Sequence, residues 1–140
     1  NLNLIPKNSI ITPHPKEFSR LFGESKDSFE RLELAKSKAK ELNIYIVLKG
    51  HHTQIITPEG NVFYNITGNS GLAKGGSGDV LLGIITSILA QGYSPENAAI
   101  FGVWLHGKAA DFTAEKYSKE AMLASDVIQH IGEVFKYLQK

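Results

Sequence analysis

A glycine-rich segment that leads into an apolar helix constrains this chain more than any other stretch. Residues 68–79 read Gly-Asn-Ser-Gly-Leu-Ala-Lys-Gly-Gly-Ser-Gly-Asp, and five of these residues are glycine. The mostly apolar residues 80–91 predict a helix that ends at Gly92. Glycine allows a ligand to approach the backbone closely, and the first N–H groups of a helix lack an intrahelical acceptor. The junction therefore favours a bound anion, and phosphate is the expected one.

Asp79 stands at this junction, where a bound phosphate would repel its carboxylate. The carboxylate is explained if it takes a proton from a nucleophile or helps to hold a metal ion. The alternative is a flexible surface loop in which Asp79 only caps the helix. The spacing matches neither common phosphate motif. Ser77 stands where a Walker A loop requires lysine, and Gly76-Ser77-Gly78 lacks the third glycine of a dinucleotide fingerprint.

Length and composition limit the class of protein. The chain has 140 residues, enough for one domain at most, and a net charge of +1, which argues against general binding to nucleic acid or acidic membranes. It has no cysteine, which excludes disulfides, thiolate metal sites and cysteine nucleophiles and fits a reducing cytoplasm. The longest apolar run, residues 80–90, is shorter than the roughly 20 residues of a membrane span.

Helical and strand patterns alternate along the chain, which predicts an α/β fold. The continuous apolar run 44–48 is typical of a strand buried on both faces. The other expected elements are a strand at 9–12, helices at 15–22 and 27–42, a hairpin of 53–57 and 62–66, a helix from Ser94 to Phe112, irregular residues 113–124 and a last helix capped by Ser125-Asp126. The second helix is expected to have a capping box at Asp27 and an apolar stripe that begins at Phe29.

Three segments with histidine are candidates for a site. His14 lies between two prolines, which either aim it at a ligand or make it a helix cap in a rigid turn. Lys49-Gly50-His51-His52-Thr53 leaves the buried strand, and in open α/β sheets ligands bind beyond the carboxyl ends of strands. Adjacent His51 and His52 are expected to point to opposite faces, so no metal site is assigned to them. His106 falls on an apolar helix face, where a core histidine with satisfied hydrogen bonds is expected, and Asp111 does not share its side of the helix well.

Three motifs in order resemble the ADP/ATP-dependent NAD(P)H-hydrate dehydratases, a family of the ribokinase-like superfamily. They are Thr12-Pro13-His14-Pro15-x-Glu17, Leu48-Lys49-Gly50, and the glycine-rich segment continued through Val80-Leu81-x-Gly83-Ile84-Ile85. His106-Gly107 and Ser125-Asp126-Val127-Ile128 extend the resemblance, which spans essentially the whole chain. The family usually has threonine where this chain has Lys74 and often has methionine where it has Leu72.

The resemblance implies a three-layer α/β/α fold and repair of hydrated NADH or NADPH in the cytoplasm. A nucleotide, ADP or ATP with Mg²⁺, phosphorylates the added hydroxyl, and elimination of phosphate restores the dihydronicotinamide ring. By motif, Asp79 is the base on that hydroxyl. His14, Asn69 and Asp79 contact the hydrated cofactor. The nucleotide is bound by Lys49, Gly50, His51, His52, Thr53 and Gly78, and the anion hole consists of Gly76, Ser77, Gly78 and Asp79.

Family domains are about twice as long as this chain. Residues 1–140 are therefore expected to be the C-terminal half of one ribokinase-like domain without its N-terminal half. Such a piece is expected to form homo-oligomers or to associate with the missing half, and to bind neither nucleic acid nor membranes. Two other functions remain open: a ribokinase-like kinase of the hydroxymethylpyrimidine or hydroxyethylthiazole type, and a nucleotide-binding fragment without catalysis.

Overall fold

The buried strand predicted at residues 44–48 is the centre of a small mixed sheet. The computed structural model describes all residues from 1 to 140. Its strands are β1 (Ile10–Ile11), β2 (Tyr45–Leu48), β3 (Gln54–Ile56) and β4 (Val62–Tyr64). Its α-helices are α1 (Pro15–Phe22), α2 (Ser28–Leu42), α3 (Ser77–Ala90), α4 (Pro95–Tyr117) and α5 (Ala124–Leu138), and short 3-10 helices cover Leu2–Leu4 and Ser70–Leu72.

The four strands lie in the order β1-β2-β3-β4. β1 pairs with β2 in parallel, with Ile10 opposite Tyr45, and the connection between them contains α1 and α2. β2, β3 and β4 are antiparallel neighbours, with Val47 opposite Ile55 and Ile55 opposite Phe63. The predicted hairpin is confirmed, and the outer edge of β1 has no strand partner.

Alternate side chains of β2 enter two separate apolar cores, so the prediction of burial on both faces is confirmed. Ile44, Ile46 and Leu48 pack with Phe18 of α1 and with Ala35 and Ala39 of α2. Val47 and Ile55 belong to the larger core on the other face, which contains apolar residues of α3, α4 and α5. The sheet therefore lies between two helical layers. None of the helices combines the length and apolar character needed to cross a membrane.

Four sequence-based expectations about helices are wrong in detail. The capping box at Asp27 is incomplete, because Glu30 Oε2 accepts from the Lys26 N–H and not from the Asp27 N–H. α4 continues to Tyr117, because its last turns are anchored by Thr113, which is fully buried and lies 3.1 Å from the His130 ring. α5 begins at Ala124, and Asp126 bonds back to the N–H of Leu123 at 2.8 Å, so Ser125-Asp126 is inside the first turn. Phe29 is 72% exposed, and the buried stripe of α2 begins one turn later, at Leu32.

Candidate active site

A cavity of about 600 Å³ opens beyond the end of β2, where the connection to β3 leaves the sheet. We call it the main cavity. Its walls are the segment 49–53, the segment 65–70, parts of the glycine-rich loop and the first turn of α3, and one face of α4. All of the residues expected to bind nucleotide line it: Lys49, Gly50, His51, His52, Thr53 and Gly78. His14, Asn69 and Ser77 line it as well.

The first turn of α3 presents free backbone donors. Gly76 precedes the helix with a φ of +91°, a conformation that favours glycine, and no side chain caps this end. The first backbone bond into the helix runs from Val80 N–H to the Gly76 carbonyl at 3.1 Å. The N–H groups of Gly76, Gly78 and Asp79 donate to no protein acceptor, whereas that of Ser77 reaches the Lys74 carbonyl at 3.3 Å. Three of the four expected anion-hole groups are thus free to bind an anion.

Asp79 does not face the main cavity. It is exposed and lines a second opening of about 610 Å³, together with Gly76, Glu17, Arg20 and Leu82. We call this opening the acid cleft. Gly76 likewise lies on the acid cleft and is absent from the wall of the main cavity. The expected site residues are therefore divided between two openings, and the N-terminus of α3 separates them.

Lys49 and Gly78 are common to both openings. A Cβ atom added to Gly78 would lie 3.0 Å from the Lys49 ammonium, so the absence of a side chain there lets the cation approach the helix N-terminus. Lys49 Nζ is also 4.0 Å from Glu17 Oε2. The hydrogen bond from the His14 backbone, with help from the Lys49 charge, holds the pKa of the Glu17 carboxyl below its usual range. Lys49 is placed to contact an anion from either opening.

His14 caps α1, which is one of the two roles left open by the sequence. Its Nδ1 accepts from the Glu17 N–H at 3.2 Å, and the His14 N–H donates to Glu17 Oε2 at 2.8 Å. The Nε2 atom lies 3.3 Å from Glu17 Oε1. The capping role and the position on the main cavity are compatible, because the half-buried ring still lines that cavity.

The expectation that His51 and His52 point to opposite faces is wrong. Their ring centroids are only 4.4 Å apart. The backbone bends at residues 50–52, so the alternation of an extended strand does not apply. No group of three or more histidine, aspartate or glutamate side chains in the chain is arranged to hold a metal ion.

His106 differs from its sequence-based interpretation as a satisfied core histidine. It is buried on α4 and lines the main cavity, but its Nε2 atom is buried without a hydrogen-bond partner. Burial, with a smaller effect of the Lys49 charge, lowers the pKa of His106 to about 4. The imidazole is therefore neutral at pH 7 and adds no positive charge to the cavity.

Asp111 contacts the site, although nothing in its local sequence pointed to this. Its carboxylate accepts hydrogen bonds from the Gly68 N–H and from Asn69 Nδ2, each at 3.0 Å. Asn69 Oδ1 accepts from the Gly71 N–H at 2.9 Å. The Asn69 side chain thus has one Nδ2 hydrogen left for a ligand. There was no sequence signal for Asp111, because α4 also carries the carboxylates of Glu96 and Glu115.

Comparison with known proteins shows which family the chain resembles. Residues 3–133 match the family model described as NAD(P)H-hydrate dehydratase. The ADP-dependent (S)-NAD(P)H-hydrate dehydratase of Bacillus subtilis is 40% identical over 129 residues, which cover 91% of this chain and 47% of that protein.

Solved structures show the same relationship. The crystal structure of the ADP/ATP-dependent NAD(P)H-hydrate dehydratase from Bacillus subtilis, co-crystallized with ATP/Mg²⁺, superposes with a TM-score of 0.88 at 38% identity, and the match covers 95% of this chain and 50% of that one. A ribokinase-like superfamily protein from Enterococcus faecalis matches with a TM-score of 0.75 at 33% identity, over 91% of this chain and 44% of its own. The chain spans about half the length of these relatives. It has a ribokinase-like α/β fold and belongs to the NAD(P)H-hydrate dehydratase family.

Proposed function

We propose that this chain carries the nucleotide site and the catalytic acid–base residue of an NAD(P)H-hydrate dehydratase. The observation that carries the proposal is the N-terminus of α3, whose free N–H groups lie between two openings that share Lys49. Asp79 lines one of these openings, the acid cleft. Phosphoryl transfer needs such an arrangement, because the donor and the acceptor must approach the transferring group from opposite sides.

The main cavity is the proposed site of the nucleotide. Its terminal phosphoryl group would lie against the N–H groups of Gly76, Gly78 and Asp79, where the helix dipole and Lys49 stabilise negative charge. Segment 49–53 would contact the rest of the nucleotide. ADP or ATP serves as the donor in this proposal, which is supported by the names of the Bacillus subtilis relatives.

The acid cleft is the proposed site of the hydrated nicotinamide ring of NADH or NADPH. Asp79 accepts the proton of the ring hydroxyl while the hydroxyl oxygen attacks the phosphoryl group. The C–O bond of the phosphate ester then breaks and releases inorganic phosphate, the neighbouring carbon loses a proton to solvent, and the ring double bond returns. His14 and Asn69 are proposed as further contacts to the hydrated cofactor. Both line the main cavity and not the acid cleft, so these contacts require the cofactor to extend past the N-terminus of α3.

Mg²⁺ is implied by the family, and the donor set here fits an ion held mainly by phosphates and water. Mg²⁺ commonly takes one or two carboxylates together with substrate phosphates, and the carboxylates facing the acid cleft are Asp79 and Glu17. When bound, the ion would neutralise charge on the phosphates. Lys49 and the free N–H groups of α3 bind and orient the same phosphates independently of it.

The second part of the proposal is supported by the length of the Bacillus subtilis relatives, of which this chain covers about half. Residues 1–140 form the C-terminal half of one ribokinase-like domain, and an N-terminal half supplies the remaining wall of the acid cleft. The chain would then act as a homo-oligomer or together with that half. Turnover is a property of the longer protein in this proposal, whereas nucleotide binding belongs to the chain.

Nucleotide binding is the direct test. ADP and ATP are titrated into ¹⁵N-labelled chain, and we expect the largest amide shifts in residues 76–79 and 49–53. Lys49→Gln should weaken binding, and Lys16→Gln, at an exposed position on α1, is the matched control. Shifts at the starts of α4 and α5, with the glycine-rich loop unaffected at saturation, would contradict the proposal.

Substrate choice is tested in a protein that contains this chain and the rest of the family domain. Hydrated NADH is supplied with ADP or ATP, and recovery of the reduced nicotinamide is followed by its absorbance. Hydroxymethylpyrimidine and hydroxyethylthiazole are assayed in parallel. Phosphorylation of either vitamin precursor, with no action on hydrated NADH, would identify a different ribokinase-like enzyme. Binding without any turnover would leave only a nucleotide-binding protein.

A further inference from the structure

We propose that Asp111 is a positioning residue for the nucleotide site, which it serves by holding the turn that leads into the glycine-rich loop. This inference rests on the proposed function, because it assigns Asp111 to the binding of the nucleotide in the main cavity. Asp111 itself is not part of the cavity wall, whereas the Gly68 and Asn69 groups that it holds are.

The segment from Thr67 to Gly71 is docked on one face of α4. Its contacts on the helix are Trp104, Gly107 and Asp111, whose spacing of three and four residues places them on a single side. Thr67 Oγ1 donates to the Trp104 carbonyl at 2.9 Å. A Cβ atom on Gly107 would lie 2.7 Å from the Thr67 carbonyl carbon, so only glycine permits this approach.

Asp111 makes the polar end of this contact. One carboxylate oxygen accepts from the Gly68 N–H and the other accepts from Asn69 Nδ2, and both partners lie more than 40 residues away in sequence. Asn69 in turn holds the backbone of Gly71, because its Oδ1 accepts from the Gly71 N–H. Hydrogen bonds to a carboxylate are stronger than neutral ones, so this set fixes the turn firmly.

Other contacts hold the two ends of this segment: Thr67 bonds to Asn65 and Trp104, and Gly71 is buried near Met122. Between them, the Gly68 N–H bonds only to Asp111. Gly68 has a φ of +102°, which the backbone alone does not enforce because glycine is free to adopt many conformations. After Gly71 the chain enters the 3-10 turn, in which the Leu72 and Ala73 N–H groups bond to the Asn69 and Ser70 carbonyls at 3.1 Å each. The position of this turn determines where the wall of the main cavity and the following glycines lie. Loss of the carboxylate should therefore displace groups that contact the nucleotide.

The test compares three variants in the 140-residue chain. Asp111→Asn keeps the side-chain shape but places an amide group opposite either the Gly68 N–H or the Asn69 amide. We expect the dissociation constant for ADP to rise about tenfold, equivalent to about 1.4 kcal/mol. Glu115→Gln makes the matched acid-to-amide change one turn further along α4, at an exposed side chain, and should leave the constant unchanged. Asn69→Ala removes the bonds from Asp111 to Asn69 and from Asn69 to Gly71 while keeping the Gly68 contact. This variant replaces Asp111→Asn in the test if Asp111→Asn does not fold.

Hydrogen exchange separates positioning from simple loss of stability. In Asp111→Asn we expect faster exchange at Gly68, Gly71, Leu72 and Ala73, with the amides of α4 and of the sheet unchanged. In Asn69→Ala the acceleration should begin at Gly71. Wild-type affinity together with wild-type exchange in this turn would overturn the inference, and so would acceleration spread evenly over the chain. If the wild-type chain binds no nucleotide, the proposed function fails. Hydrogen exchange needs no ligand, so the exchange rates of these four amides still decide whether Asp111 holds the loop.

Discussion

Asp79 and Lys49 illustrate how single residues acquire a role from their surroundings. Asp79 lies in the first turn of α3, on the opposite side of the helix N-terminus from the main cavity. Lys49 reaches the same point from the end of β2, because Gly78 has no side chain to exclude it. A carboxylate and a cation close to free N–H groups are the arrangement expected for the transfer of a phosphoryl group to a hydroxyl.

Asp79→Asn should abolish most turnover in the complete domain and leave nucleotide affinity equal or higher. Loss of a general base commonly lowers the rate by about 10² to 10⁴. Removal of the carboxylate also relieves its repulsion of phosphate. The measurements are kcat on hydrated NADH and the dissociation constant for ADP. Asp27→Asn is the matched control, since asparagine caps α2 as well as aspartate does. A kcat near that of the wild type would exclude the assigned role of Asp79.

His106 should make the stability of the chain depend on pH between about 4 and 6.5. Burial lowers its pKa to about 4, so the unfolded chain takes up the proton first as the pH falls. The free energy of unfolding should therefore decrease by about 3 kcal/mol as the pH is lowered across this range.

His106→Gln should remove this part of the pH dependence, which urea unfolding at a series of pH values measures directly. The exposed His52→Gln variant is the control and should retain the wild-type slope. If the slopes of His106→Gln and wild type coincide over this range, His106 does not control the effect.

From the sequence, we could predict candidate site residues that follow a buried strand or begin a helix. We could not predict those that reach the site through contacts between elements distant in sequence. Segment 49–53 and the start of α3 were predicted to line a site because strand ends and helix starts are local signals, and both segments contribute to the wall of the main cavity. Asp111 and the unpartnered ring of His106 depend on which α4 residues face the glycine-rich loop. A carboxylate or imidazole on a helix that also carries other polar side chains gives no local indication of such a contact. The roles assigned to His14, Asn69 and Asp79 remain predictions.

At the scale of elements, the packing of α3 against α4 holds two walls of the main cavity in place. α3 starts at the glycine-rich loop and α4 forms the opposite wall of the main cavity, so their packing sets the width of that cavity. The helices approach closely at Gly102, where an added Cβ would lie 2.7 Å from Ile85 Cγ1. This close approach explains glycine in the middle of a long helix, where it otherwise lowers stability.

Gly102→Ala should destabilise the chain by about 1–3 kcal/mol, because the overlap with Ile85 outweighs the higher helix propensity of alanine. Gly83→Ala is the matched control on α3, where no atom lies within 4 Å of the added Cβ. That variant should be up to about 1 kcal/mol more stable than the wild type. Urea unfolding midpoints measure both changes, and similar midpoints for the two variants would refute the argument.

Element types were predictable, whereas several element ends were not. The period of apolar residues identified the helices and the buried strand. The end of α4 and the start of α5 are set by Thr113 against His130 and by the bond from Leu123 to Asp126, which are contacts of a folded structure. A capping side chain can be recognised when its backbone partner lies three residues further on, as at Asp27. The start of the helix is ambiguous when two candidate caps are adjacent, as at Ser125-Asp126.

At the scale of the whole molecule, the acid cleft is the part of the site with the least cover. Its wall includes Ile11 on the unpaired edge of β1 and two exposed apolar side chains, Leu21 at 42% and Leu82 at 47%. An open strand edge beside exposed apolar groups favours association with another chain. In the relatives about half of the chain lies outside the matched region, and we propose that part of it covers this surface.

We therefore predict that the 140-residue chain by itself associates in solution and lacks dehydratase turnover, while it still binds nucleotide weakly. Binding should survive because residues of this chain line the main cavity, whereas we propose that the rest of the domain completes the wall of the acid cleft. Sedimentation velocity over a range of concentrations measures the association, and assay of hydrated NADH with ADP or ATP measures the turnover. Leu82→Gln should shift the chain toward monomer, and Ile128→Gln, at a 54% exposed position on α5, should not. A monomer with normal turnover would show instead that these 140 residues form a complete catalytic domain, with the acid cleft able to hold the hydrated cofactor unaided.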